Sequence, residues 1–139
     1  MKYIWSPHSE SVLHDGKVLA FAGINGDSYI EALATAELYD PETGNWTHTD
    51  RLNCPGFNFP AITFANGKVM AIGGSVDDDG GLTSSTELYD PSTNKWTSGD
   101  SINLEREMHT ASLLENGKVL AVGGYSDFCE KTTELYHSE

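Results

Sequence analysis

Acidic side chains crowd three stretches of this chain, and their chemistry is the first to weigh. Asp27 lies within residues 24–31, Asp77-Asp78-Asp79 within 75–84, and Asp127 within 125–131. Grouped carboxylates bind calcium when carbonyl oxygens complete the shell, and otherwise they attract basic peptide segments. The triple aspartate lacks the spaced ligands of a dedicated calcium loop, so a solvated loop that aids solubility is the plainer reading. Arg51, Arg106 and Lys131 are the cations nearby. Tyr29, Phe57, Tyr125 and Phe128 offer flat faces for a partner side chain or a sugar ring. His8 and His109 form a second set, since imidazoles gathered about an axis can ligate a transition metal. One histidine per unit is equally the mark of hydrogen-bonded packing, and no metal is assigned. The chain has no Gly-x-Ser-x-Gly elbow, no phosphate-cradling glycine loop with its lysine and no Cys-x-x-Cys pair. Its serines and acids fall at no spacing that nominates a nucleophile and base. The expectation is a non-catalytic module without a cofactor.

These side chains sit in a frame that repeats. Asp15-Gly16-Lys17-Val18 returns as Asn66-Gly67-Lys68-Val69 and again as Asn116-Gly117-Lys118-Val119, at shifts of 51 and 50 positions. Glu37-Leu38-Tyr39-Asp40-Pro41 returns as Glu87-Leu88-Tyr89-Asp90-Pro91 and, shortened, as Glu134-Leu135-Tyr136. A period near fifty residues marks supersecondary units that bury their faces against one another. Within a unit the signals predict four short strands. In the third copy His109–Leu114 is a first strand, Asn116-Gly117 favours a tight hairpin turn, and Val119–Gly124 returns as an apolar strand covered on both faces. In the second copy a polar loop, Ser75–Ser84, leads to the strand Ser85–Tyr89, then the turn Asp90-Pro91-Ser92-Thr93-Asn94 and the strand Lys95–Ser98. The best helical stretch, Tyr29–Ala36, is short and runs into the third strand of its unit. The chain reads as all-β.

Composition narrows the partners. Eight basic against 21 acidic residues give a net charge of −13, which repels a nucleic-acid backbone. No apolar run is long enough to span a bilayer as a helix, and residues 1–7 lack the core of a signal peptide, which favours a cytoplasmic location. Cys54 and Cys129 occupy non-equivalent places in the repeat, so free thiols are expected over a copied disulfide framework.

The histidines opening two first strands, the Gly-Lys-Val turns, the doublets Gly73-Gly74 and Gly123-Gly124, the Tyr-Asp-Pro turns and Trp46 and Trp96 together resemble the kelch repeat, in the form also found in galactose oxidase-like propeller domains. The first doublet is Ala22-Gly23, the second copy has Phe59 in the histidine position, and the third stops before any tryptophan. The resemblance implies a β-propeller with a four-stranded blade per unit, the first strand lining a central channel and the fourth at the rim. It places blade 1 at about 1–53, blade 2 at about 54–103 and a partial blade 3 at about 104–139. The doublet glycines are read as points where a neighbouring blade's backbone approaches, and Tyr39, Tyr89, Tyr136, Trp46 and Trp96 as packing between blades.

Propellers close with about four to eight blades. Three blades leave two faces bare, which monomers rarely tolerate, so two chains head to tail are expected to form a six-bladed ring as a homodimer. A fragment of a longer propeller, or a degenerate piece, is the competing explanation. Binding is expected on the face carrying the variable second-to-third loops and the blade-to-blade loops, with Asp27, Tyr29, Arg51, Asp77, Asp78, Asp79, Arg106, Tyr125, Asp127 and Phe128 as candidate contacts. Kelch propellers generally bind proteins or small ligands there, and a protein partner is the leading expectation. A glycan or calcium binder is the alternative, and a fragment of a galactose oxidase-like enzyme the third. Neither nucleic acid nor membrane is an expected partner.

Overall fold

Each repeat folds as a small antiparallel sheet in the computed structural model, which describes residues 7–25, 31–77, 79, 81–126 and 132–137. The first sheet holds β1 (Ser9–Val12), β2 (Val18–Phe21), β5 (Ala36–Asp40) and β6 (Asn45–His48), in that spatial order. The second holds β7 (Ala61–Thr63), β8 (Val69–Ile72), β9 (Thr86–Asp90) and β10 (Lys95–Ser98), again in sequential order. The third has β11 (Thr110–Leu113), β12 (Val119–Val122) and β13 (Thr133–Tyr136). A two-stranded ribbon of β3 (Ile24–Asn25) and β4 (Glu31–Ala32) stands off the first blade. The helical stretch considered above is therefore extended where it is described, because β4 pairs with β3.

The turns follow from local chemistry, with one difference from expectation. In each first hairpin only the glycine takes positive φ, 84° at Gly16, 84° at Gly67 and 80° at Gly117. The preceding Asp15, Asn66 or Asn116 instead accepts the N–H of the lysine two residues on, at 3.1 Å in all three copies. A side chain that satisfies the turn itself leaves only one residue to adopt the left-handed region. At the second hairpin Asp40 and Asp90 each accept the N–H two residues on at 2.9 Å. Gly44 and Asn94 then close it from positive φ. Both turns place Tyr39 opposite Trp46 and Tyr89 opposite Trp96, with ring centroids 5.1 and 5.2 Å apart.

Blades pack face to face. One core joins Leu19, Phe21, Ala36 and Leu38 of the first blade to Val69, Ala71, Tyr89 and Trp96 of the second. Another joins Met70, Ile72 and Leu88 of the second to Val119 and Tyr136 of the third. Adjacent residues of β8 and β9 thus serve opposite junctions, as the two-residue period of a strand requires. The phenyl ring of Phe21 lies 4.9 Å from the Trp96 indole and 5.9 Å from the Phe59 ring. The expectation that Val119–Gly124 is covered on both faces fails for β12, which alternates because one of its faces meets no further blade here, whereas its copy β8 is buried throughout. The aromatic packing divides likewise: Trp96, Tyr89 and Tyr136 are buried, while Trp46 is 36% exposed on the outer flank of the first blade.

Candidate functional site

The loops between blades are pinned before any side chain is free to bind. Glu87, buried on β9, accepts the N–H of Asn53 at 2.7 Å, the Asn53 amide at 2.9 Å and the N–H of Cys54 at 2.7 Å. Glu134 repeats the clamp on β13, accepting the backbone and side-chain amides of Asn103 and the N–H of Leu104. Carboxylates that accept several backbone N–H groups hold an irregular loop as a strand ladder would. The signal was present in the sequence as Glu-Leu-Tyr recurring in step with Leu52-Asn53 and Ile102-Asn103, but it was not read.

The doublets do what their glycines suggested. Gly23 donates to Gly56 O at 2.9 Å, and Gly74 donates to Arg106 O at 2.8 Å, so the first two doublets bond the entry loop of the next blade. A Cβ on Gly73 would stand 2.7 Å from Arg106 O, closer than real side chains come to backbone.

Arg106 requires a correction. Expected on the binding face, it is the largest fully buried side chain among the described residues, at 0% exposure. Its Nη1 donates to Gly123 O at 2.9 Å and to Thr132 O at 3.4 Å; Nη2 reaches Thr132 Oγ1 at 3.2 Å and Glu134 Oε2 at 3.5 Å. Carbonyls inside the blade corner offer a guanidinium the planar set of acceptors it needs, which outcompetes exposure. Arg106 therefore leaves the candidate set. Glu107 is also engaged: its Oε2 accepts Asn58 Nδ2 at 2.9 Å and the Ser75 hydroxyl.

The two histidines part company. His8 is exposed. His109 is 6% exposed, with neither ring nitrogen bonded among the described residues. Burial, seconded by the Arg106 charge, pulls its pKa down to about 4, so the ring is neutral at pH 7.

Other expected contacts stay open to solvent. Arg51, Asp77 and Asp79 are exposed. Asp77 Oδ1 already accepts the N–H of Gly81 at 2.7 Å, closing its own loop. Tyr125 is 57% exposed. Met108, which the sequence reading passed over, is 67% exposed and held at φ 53°, a conformation costly for an unbranched side chain without a local hydrogen bond. It directly follows Glu107, whose backbone bridges that of Tyr125, and its own N–H donates to Asn58 O at 2.8 Å. Asp27, Tyr29, Asp78, Asp127 and Phe128 lie outside the described residues. Among the described residues no three His, Cys, Asp or Glu side chains are grouped to hold a metal ion, and Cys54 is free and exposed. On the opposite face an open groove of about 530 Å³ runs between two hairpins, lined mainly by Phe64, Asn66, Leu113 and Glu115.

Comparison with known proteins gives these blades a lineage. The Kelch motif model matches residues 7–49 and 57–101. The chain is similar to Kelch repeat and BTB domain-containing protein 1 of cowpox virus (strain GRI-90 / Grishak), 34% identical over 70 residues that make up 50% of this chain and 12% of that protein. It is also similar to an F-box/kelch-repeat protein of Arabidopsis thaliana, 40% identical over 63 residues, 40% of this chain and 16% of that protein. The chain thus spans under a fifth of the length of these curated relatives. Among solved structures that of YjhT superposes with a TM-score of 0.72 at 15% identity, over 84% of this chain and 44% of that one, which shows a shared fold. With its motif matched over more than half of its length, this chain belongs to the kelch-repeat family.

Proposed function

We propose that this chain is a non-catalytic protein-interaction module, and that its partner docks on the loop face through Tyr125 and Met108 with Arg51, Asp77 and Asp79 at the rim. The observation that carries the reading is Met108, an exposed apolar side chain kept in a strained backbone conformation one residue from the Glu107–Tyr125 bridge, where Tyr125 is exposed too. Methionine and tyrosine supply adaptable apolar area on binding surfaces, and surrounding carboxylates favour a basic partner segment. The names of the relatives, which join kelch repeats to BTB or F-box domains, support an interaction role. The displaced pKa values also have structural causes. Asp15 falls and Lys17 rises as a hairpin pair, Asp90 drops to about 2 through Ser92 and Lys68, and burial raises Tyr89 to about 12.

The reading includes self-association as a homodimer, in which a second copy would cover Trp46 of the first blade and Val122 and Leu135 of the third, all exposed in the single chain.

The test is cross-linking mass spectrometry in a host lysate with the wild-type chain, a Tyr125→Ala/Met108→Ala variant and, as a control on the other face, Leu113→Glu. Partners should be lost with the first variant, should weaken with salt, and should survive the second. Partners lost only with Leu113→Glu would move the site to the hairpin face and end this reading.

A further inference from the structure

The two junctions inside the chain define what one blade face asks of the next. The leaving face of the first blade presents Leu19, Phe21 and Leu38, and that of the second presents Met70, Ile72 and Leu88. Strand alignment puts Leu120, Val122 and Leu135 in the same places on the third blade. There the face ends in the open, with Val122 40% and Leu135 46% exposed. The backbone is open as well. Nothing stands within 4 Å of where a Cβ would sit on Gly123, whereas its copy Gly73 is pressed against Arg106 O. Gly124 N–H, unlike Gly23 and Gly74, finds no next-blade carbonyl among the described residues. At the other end Trp46 is 36% exposed, although its copy Trp96 is 6% exposed beneath Phe21.

We infer that a second copy of this chain seats its first blade on that leaving face, Val122 meeting the copy's Trp46 as Phe21 meets Trp96. The inference rests on the homodimer reading above and assigns its surfaces. The reciprocal contact is identical by symmetry, so two head-to-tail junctions close a ring of six blades. Continuity with the internal junctions argues for this occupant, because the exposed residues are the same rows in the same register.

Light scattering on the eluting 139-residue chain tests the docking, with circular dichroism and thermal unfolding of every variant to verify folding. The wild type should elute at twice its 15.1 kDa mass. Trp46→Glu and Val122→Glu alter side chains already open in the protomer, and each should raise the dissociation constant about 30-fold or more while the circular dichroism spectrum is retained. A two-chain mass that both folded variants retain overturns the docking and leaves the homodimer. A wild type at the mass of one chain overturns both, pointing to further blades or a different protein as the cover. A mass of three chains or more overturns closure of the ring.

Discussion

The second and third blades solve the same corner with opposite chemistry. In the second, Gly56 and Phe59 stand where the third has Arg106 and His109, 50 positions on. The Phe59 ring closes over Gly56 and Gly74 and stacks on Phe21, leaving a half-open slot of about 10 Å³ between Gly56, Gly73, Ser85 and Glu87. That is room for about one water. In the third, the Arg106 guanidinium fills the corresponding space and bonds Gly123, Thr132 and Glu134. The clamp glutamate is kept in both blades, yet only in the third does a cation face it. Between these two blades the pair differs as a unit: a small residue with an aromatic ring in the second, a long cation with an imidazole in the third. A repeat can exchange apolar packing for a charged network at one corner while its backbone and register persist.

Removing the cation should break this comparison most severely. Arg106→Ala leaves Glu134 facing an empty slot and is expected to destabilise the fold by about 3–5 kcal/mol in urea unfolding. Adding His109→Phe to Arg106→Gly rebuilds the chemistry of the second blade and should recover part of the loss, a coupling readable in a double-mutant cycle. If the double variant is merely the sum of the single ones, the two residues are independent.

Acid should separate the corners next. The folded state holds His109 at a pKa near 4, below the unfolded value near 6.5, so the unfolded chain takes up the proton first. Stability tied to the neutral ring is complete above pH 6.5 and drains away as pH falls towards 4, by about 2–3 kcal/mol. The carboxylates Asp15 and Asp90, whose folded pKa values are lowered, lose their contribution at still lower pH. His109→Phe should flatten the interval between pH 6.5 and 4. At neutral pH it should raise stability by about 1 kcal/mol, because a buried ring with two unbonded nitrogens is replaced by an apolar one. An unchanged pH profile in the variant would put the titration elsewhere.

The smallest difference compares the doublets. At dilutions where the chain is a single protomer, Gly73→Ala drives a Cβ to 2.7 Å from Arg106 O at positive φ and should lower the thermal midpoint well below that of Gly123→Ala, whose Cβ enters open space within the protomer. The second substitution carries only the left-handed backbone penalty of about 1 kcal/mol. Equal losses would mean that the close approach of the next blade contributes little.

Much of the architecture was legible before any coordinates. Val69–Ile72 reads as a strand, and the Tyr-Asp-Pro turns set Tyr89 opposite Trp96, because strands and turns depend on neighbours a few residues apart. The repeat period carries that reading from blade to blade. The candidate face was legible only in part. Tyr125, Asp77 and Asp79 are exposed as loop residues should be, but Met108 carried no local mark of its strained conformation. Arg106 misled because an arginine in a polar loop looks solvated until its acceptors are located, and they come from Gly123, Thr132 and Glu134 on other strands.

Local chemistry and the fifty-residue period were thus sufficient to specify strands, turns, blades and the aromatic rows between them, since each depends on short-range periodicity copied three times. Which polar groups turn inward rested on the assembled blades. Arg106 and His109 were placed by acceptors, or the lack of them, on segments distant in the chain, and no one-dimensional pattern encodes a meeting that exists only after the sheets have packed.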